Sequence, residues 1–309
     1  MSAKHLRHRF LRQFAGMSKY RRITAWLIFG SYILQIVGSI ALGHLLLAPE
    51  ISALDLTGIL LLAVFIATRL RGLNNIIHEC SHATFSQHLP DNALIGSLCG
   101  VVVLGSFRDY RDEHMTHHAH LGDYEHDLDL QGLKDLRIHE PLTRPVILRH
   151  LTNPLLGRHL PYYFRVNLGA KDGRVFQTLK FALLALVAGL AALAPLTALL
   201  LAVVPFALIF TTLNYWTDCL DHAGICASDD EIDASRNVLA PLPLRVLFFP
   251  RNDSFHLVHH LFPQIPARHL AASHQKLCSD PIYQSKSNAV HPFGTPEQHH
   301  QEESHGATI

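Results

Sequence analysis

The stretch LTGILLLAVFIATRLRGLNNIIHECSH, residues 56–82, joins the two signals that decide the fold. It opens on an apolar run over 56–68, meets Arg69 and Arg71, and ends in His78-Glu79-Cys80-Ser81-His82. The run predicts a transmembrane helix that continues past the bilayer and carries the two histidines on its extension. Histidines four apart share one helical face.

Three more apolar runs, 23–48, 175–194 and 196–216, have the length of membrane spans. The first follows a basic segment, 1–22, with Lys4, Arg7, Arg9, Arg12, Lys19, Arg21 and Arg22. It is too long for a signal-peptide core. His44, near its far end, is expected at the interface. The linker 49–55 has Glu50 and no Lys or Arg. Only Pro195 separates the last two runs, which predicts a tight hairpin. A further apolar stretch, 93–107, is shorter than the roughly 20 residues needed to span and is expected to be re-entrant or interfacial. Four spans in two hairpins bring every histidine cluster to one side. The basic N-terminus puts that side in the cytoplasm.

The fold class expected is therefore an all-α integral membrane protein. Two hairpins of transmembrane helices would carry a cytoplasmic helical cap, built from 72–174 and 218–277, that holds a di-metal site. The chain would divide into a basic cytoplasmic N-terminus (1–22), a membrane domain (23–277) and a polar, disordered tail (278–309). Composition agrees: 49% of the 309 residues are hydrophobic, 17% are charged, and the net charge of +1 argues against nucleic-acid binding. Mean hydropathy is +0.17. The five cysteines form no CxxC pair and are expected to be reduced and unpaired.

Histidine is the anomaly, with 24 residues against 26 Lys and Arg. His114-Met115-Thr116-His117-His118 and His256-Leu257-Val258-His259-His260 repeat one HxxHH spacing. With His78 and His82, the three clusters supply eight imidazoles, each cluster presenting its rings to one point from one helical side. Asp221-His222, beyond the last span, adds a ninth. Eight or nine histidines exceed the four ligands of a structural zinc and suggest two metals. Imidazole alone does not choose among zinc, copper, nickel and iron. Asp123, Asp127 and Asp129 could orient the rings. Asp218, one turn before His222, could be a ligand or an acceptor behind one.

These residues resemble the membrane fatty acid desaturase and hydroxylase superfamily. The resemblance rests on HECSH (78–82), HMTHHAHLGDYEHDLD (114–129) and FHLVHHLFPQIP (255–266), and covers about 23–277. It implies two iron ions, molecular oxygen as co-substrate, and a separate electron donor of the ferredoxin, rubredoxin or cytochrome b5 type. It also implies His78, His82, His114, His117, His118, His222, His256, His259 and His260 as ligands, with an acyl chain threaded into a tunnel beside them. Desaturation is the outcome favoured by the third box. Hydroxylation, on a lipid or a non-lipid chain, is the alternative. Many members carry Asn close before that box; here Asp253-Ser254-Phe255 intervenes and Asn252 stands further back, which leaves the substrate open. His291-Pro292-Phe293-Gly294 is similar to a haem-binding edge, but too few residues surround it to build a cytochrome domain.

Two rivals come from other classes. His78-Glu79-Cys80-Ser81-His82 also satisfies H-E-x-x-H, in which Glu is the base of a zinc protease. That reading leaves two clusters unused. A metal transporter would place its ligands inside the spans, where this chain has almost none.

Overall fold

A computed structural model of the chain describes residues 2–47, 52–286 and 288–290. Most of the described chain is helical, and four helices are long and apolar enough to cross a membrane: Arg22–Leu46, Ala53–Ser81, Arg174–Leu193 and Pro195–His222. Helix α1, Ser2–Phe14, precedes them; α2 is Arg22–Leu46 and α3 is Ala53–Ser81.

Helix α3 starts at a capping box, in which Ser52 accepts from the Asp55 N–H and Asp55 accepts from Ser52. Its 29 residues extend about 44 Å at about 1.5 Å each, against a hydrocarbon core of about 30 Å. The surplus projects the histidine end beyond the membrane. Leu60 and Leu61 are exposed in the first half, whereas nearly every residue from Ile66 to Ser81 is buried. Gly72 lets the Tyr32 ring of α2 lie directly on the α3 backbone.

Helix α4, Leu89–Val102, and α5, Phe107–His120, meet at a bend of 106°. The 93–107 segment thus turns back on itself. Leu104 takes a positive φ at the bend, and Ser106 caps α5 by accepting from the Asp109 N–H. The buried Asp172 carboxylate accepts the Phe107 and Arg108 N–H groups (3.0 and 2.9 Å), occupying donors that an α-helix leaves orphaned.

The second hairpin turns at Ala194 and Pro195, as the isolated proline predicts. Its second arm winds in wide π-type turns over Leu199–Val203 and Pro205–Phe210, then regains α geometry over Thr211–His222. Pro205 has no N–H to give the preceding turn, which accounts for a break there. His44 bonds Thr197 (2.8 Å) and ties the two hairpins together.

The basic N-terminal segment forms an amphipathic helix whose Leu6, Phe10 and Phe14 are buried with Leu261, Phe262 and Ile265. One expectation needs correcting. The segment from 278 is not simply a disordered tail: Pro281–Lys286 is helical, and Asn288–Val290 pairs in parallel with Arg236–Val238. Tyr283, fully buried and bonded to Asn237 and His274, anchors it (2.9 and 2.8 Å). Residues 291–309, including the His291–Gly294 motif, lie outside the described residues, as does the linker 48–51.

Gly122 ends the turn after α5 with φ +84°, and a Cβ there would run into the Cys226 carbonyl. That contact seats the second histidine box on the turn following His222. Gly122→Ala is therefore expected to lower stability by about 1–3 kcal/mol, read as a fall in Tm of the detergent-solubilised protein.

Candidate metal centre

The nine predicted histidines arrive from four directions. His78 lies in the last turn of α3 and His82 caps its end. His114, His117 and His118 lie on α5, and His222 ends the last spanning helix. His256, His259 and His260 lie on the short helix His256–Leu261.

They gather into two groups. His78, His82, His114, His118 and His259 form one; His117, His222, His256 and His260 form the other. Within each group the candidate ligand nitrogens all lie within 4.8 Å of one another. The expectation that each cluster converges on a single point is corrected here. Positions i and i+4 of each HxxHH box serve one group and position i+3 the other, so both boxes span the pair. The helical twist of 100° per residue accounts for the split.

The inner nitrogens are close. Nε2 of His259 lies 2.7 Å from that of His78 and 3.0 Å from that of His118; His82 and His114 are 2.9 Å apart. His256 lies 2.8 Å from His222 and 2.9 Å from His260. The outer nitrogens decide what these contacts mean. His222 Nδ1 meets the Ala234 carbonyl (3.1 Å) and His117 Nδ1 the Asp127 carboxylate (2.9 Å). Both partners only accept, so each Nδ1 carries the proton and each Nε2 turns a lone pair inward. Lone pairs converging in a buried site call for a cation. The donor set could hold a metal ion, with outer acceptors fixing the His117 and His222 rings.

Among the carboxylates, buried Asp127 meets His117, and Asp129 lies 3.8 Å from His114 Nδ1. Asp123 pairs instead with the exposed His126, and Asn252 donates to the Ala267 carbonyl; neither touches the nine rings. Asp218 accepts from the Tyr163 hydroxyl (2.6 Å) and belongs to neither group. Asp221 lies 3.7 Å from His256 Nδ1, close to the ring but beyond hydrogen-bond reach. The Ala234 carbonyl had no sequence signal at all. Glu79 is occupied: both its oxygens accept from Arg251 (2.7 and 3.0 Å), so it is not placed as a water-activating base.

Comparison with known proteins agrees. The fatty acid desaturase family profile matches residues 56–280. The chain belongs to the fatty acid desaturase family. It is 26% identical over 231 residues to dihydrorhizobitoxine desaturase of Bradyrhizobium elkanii, covering 69% of this chain and 66% of that one. It is 24% identical over 252 residues to a fatty acid desaturase of Bacillus subtilis, covering 72% and 70%. It is 25% identical over 223 residues to the acyl-lipid omega-3 desaturase (cytochrome b5) of Arabidopsis thaliana, covering 62% and 56%. The match spans less than two thirds of the length of the first and third of these proteins.

Charge in this desaturase-family site follows burial. Burial, reinforced by neighbouring imidazoles, pushes the imidazolium pKa values of His256, His259 and His260 well below 6.5. Burial also disfavours charged His117, but the Asp127 hydrogen bond and charge outweigh it and the net shift is upward.

The three depressed residues stay neutral in the native state, while an unfolded imidazole protonates near 6.5. The unfolded chain therefore binds more protons below that pH. The stability of the metal-free protein should fall as the pH drops from 6.5. Each of the three contributes up to about 1.4 kcal/mol per pH unit, offset in part by His117. Thermal unfolding of the chelator-treated protein at pH 7.5 and 5.5 reads this. Removing the acceptor behind His117, in Asp127→Ala, should weaken metal binding about 10–100-fold in a competition titration with a chelator.

Proposed function

We propose that this chain is an oxygen-dependent oxidoreductase that removes two hydrogens from adjacent carbons of an aliphatic chain, with its nine histidines holding two iron ions. One observation carries the reading: two adjoining groups of buried and half-buried imidazoles, five and four, whose candidate ligand nitrogens lie within 4.8 Å of one another in each group. A structural zinc would need four ligands in all, and a catalytic zinc three. The fatty acid desaturase family makes iron the fitting metal. Bound there, the irons would supply the oxygen activation that no side chain provides for an unactivated C–H bond.

The reaction balances as R–CH2–CH2–R′ + O2 + 2 electrons + 2 protons giving R–CH=CH–R′ + 2 water. The electrons come from a separate redox protein; the Arabidopsis relative carries cytochrome b5 in its name. The protein's part is to hold neutral donors at fixed spacing, to keep bulk water from them by burial, and to present one C–H pair. Hydroxylation would consume the same oxidant and electrons. The relatives' names favour desaturation, on a fatty acyl chain for two of them and on dihydrorhizobitoxine for the third. The basic residues of the N-terminal segment favour a cytoplasmic active face, where a donor would dock.

The test is mass spectrometry of lipids and soluble metabolites from a host expressing the chain or its His259→Ala variant, with iron measured on the purified proteins. A new double bond and about two irons per chain, both lost in His259→Ala while membrane insertion persists, are expected. Activity retained by the variant would overturn the ligand assignment, and zinc in place of iron would overturn the reaction.

A further inference from the structure

A cavity of about 240 Å³ opens onto ligands of both groups: His78 and His114 from one, His256 from the other. Its wall is polar. Five carboxylates (Glu113, Asp129, Asp218, Asp221 and Asp253) and two guanidiniums (Arg71 and Arg165) line it, together with Asn214 and three tyrosines. A second cavity, about 320 Å³, lies among the spanning helices and is lined by aliphatic and phenylalanine side chains. It touches none of the nine histidines. The two share a wall, with Leu70 beside Arg71 and Leu104 beside Gly105.

A chain of methylenes led from the apolar cavity to the histidines would pass the charged groups of the first cavity and leave buried donors and acceptors among them unpaired, which is costly. Two such groups already lack partners. Arg71 Nε and Asp221 Oδ1 are buried without a hydrogen bond, on side chains about 4% and 2% exposed. Arg71 pairs with Asp253, and Arg165 lies 3.6 Å from Glu113. Asp129 and Asp221 lie 3.8 and 3.7 Å from the Nδ1 atoms of His114 and His256, outside hydrogen-bond reach. Asp218 accepts one hydrogen bond, from Tyr163, and has no ion-pair partner among the described residues. With Asp129 and Asp221, whose carboxylates accept no hydrogen bond among the described residues, it leaves this wall with acceptor capacity for a cationic ligand.

We infer that the substrate of this site is a short aliphatic molecule bearing an ammonium group, an amine or amino acid rather than a long acyl chain, with the ammonium held by Asp218. Asn214 and Arg71 offer further polar contacts along the same wall. The cavity lies below the roughly 300–1,000 Å³ of drug-sized sites, which suits a small molecule. The carbon attacked then lies within a few bonds of the charged group, and that group sets the position oxidised. The inference rests on the proposed iron-dependent oxidation, because it takes the histidines as the reacting end of the cavity.

The test uses the full chain in detergent, loaded with Fe(II) and kept anaerobic, so that binding is read without turnover. n-Hexylamine and hexanoate, equal in length and opposite in charge, are titrated by calorimetry against wild type, Asp218→Asn and Tyr163→Phe, with iron measured on each sample. Hexylamine is expected to bind at least tenfold tighter than hexanoate. Asp218→Asn should abolish that preference with iron content unchanged, and Tyr163→Phe should weaken it while keeping its sign. Hexanoate binding as well as hexylamine, or neither binding, would overturn the inference. So would loss of iron in Asp218→Asn, which would make Asp218 a metal residue. If Asp218→Asn fails to fold, the wild-type comparison and Tyr163→Phe still decide. A chain that holds no iron fails the proposed reaction; one that holds iron and ignores the amine fails this inference alone.

Discussion

Imidazole nitrogens facing one another across 2.7–3.0 Å in a buried site are the constraint on which this structure turns. Two neutral rings in that position either share a proton or direct lone pairs at a common cation. For His117 and His222, whose outer nitrogens are committed to Asp127 and to the Ala234 carbonyl, the inner nitrogen carries a lone pair. The surrounding scaffold therefore has to hold rings that would otherwise separate. It does so with elements that cross between the membrane hairpins and the segment after them.

Helix α3 is the principal element. Over three turns it ties to the residues preceding the third box: Arg71 pairs with Asp253, Asn75 donates to the Pro250 carbonyl (2.8 Å), and Glu79 receives Arg251 through both oxygens. Arg251 and Asn252 both take positive φ, which is uncommon for residues other than glycine. Arg251 is kept there by Glu79 and by the Tyr20 and Phe85 rings, 5.1 and 5.2 Å from its guanidinium. The backbone reversal aims His256–Leu261 back at α3. A motif that spells a protease in one dimension is, in three, a pair of histidines in the five-ring group flanking a structural ion pair.

Much of this was legible in the sequence, for physical reasons. Spans announce themselves because lipid demands long apolar runs, and the proline between residues 194 and 196 marks the hairpin. The nine histidines stood out because their spacing is helical. What could not be read was how they divide. The assignment of His117 and His259 to the opposite group from their own boxes depends on the relative rotation of three helices, which no local pattern encodes. Asp123 and Asn252 fail for a related reason. They sit near the boxes in sequence but point into a surface turn and towards Ala267. Asp127 reaches a ring because the turn after α5 folds it back onto His117.

The chain ends show how completely a short histidine-bearing helix depends on its neighbours. His256–Leu261 has six residues, too few to persist alone in water. Its last carbonyls would be orphaned. Arg7 of α1 donates to the Leu261 and His260 carbonyls (2.9 and 3.2 Å) and pairs with Glu231, so the guanidinium caps the helix from outside. Phe14 stacks edge-on against Phe262 at 4.9 Å, covering the apolar side. Arg9 pairs with Asp280, which draws the 278–290 segment over the same surface. The N-terminal helix lies outside the 56–280 span of the family match, yet it packs directly on the element that supplies three of the nine imidazoles. The positions of His256, His259 and His260 are therefore set as much by the basic N-terminal helix as by the membrane core.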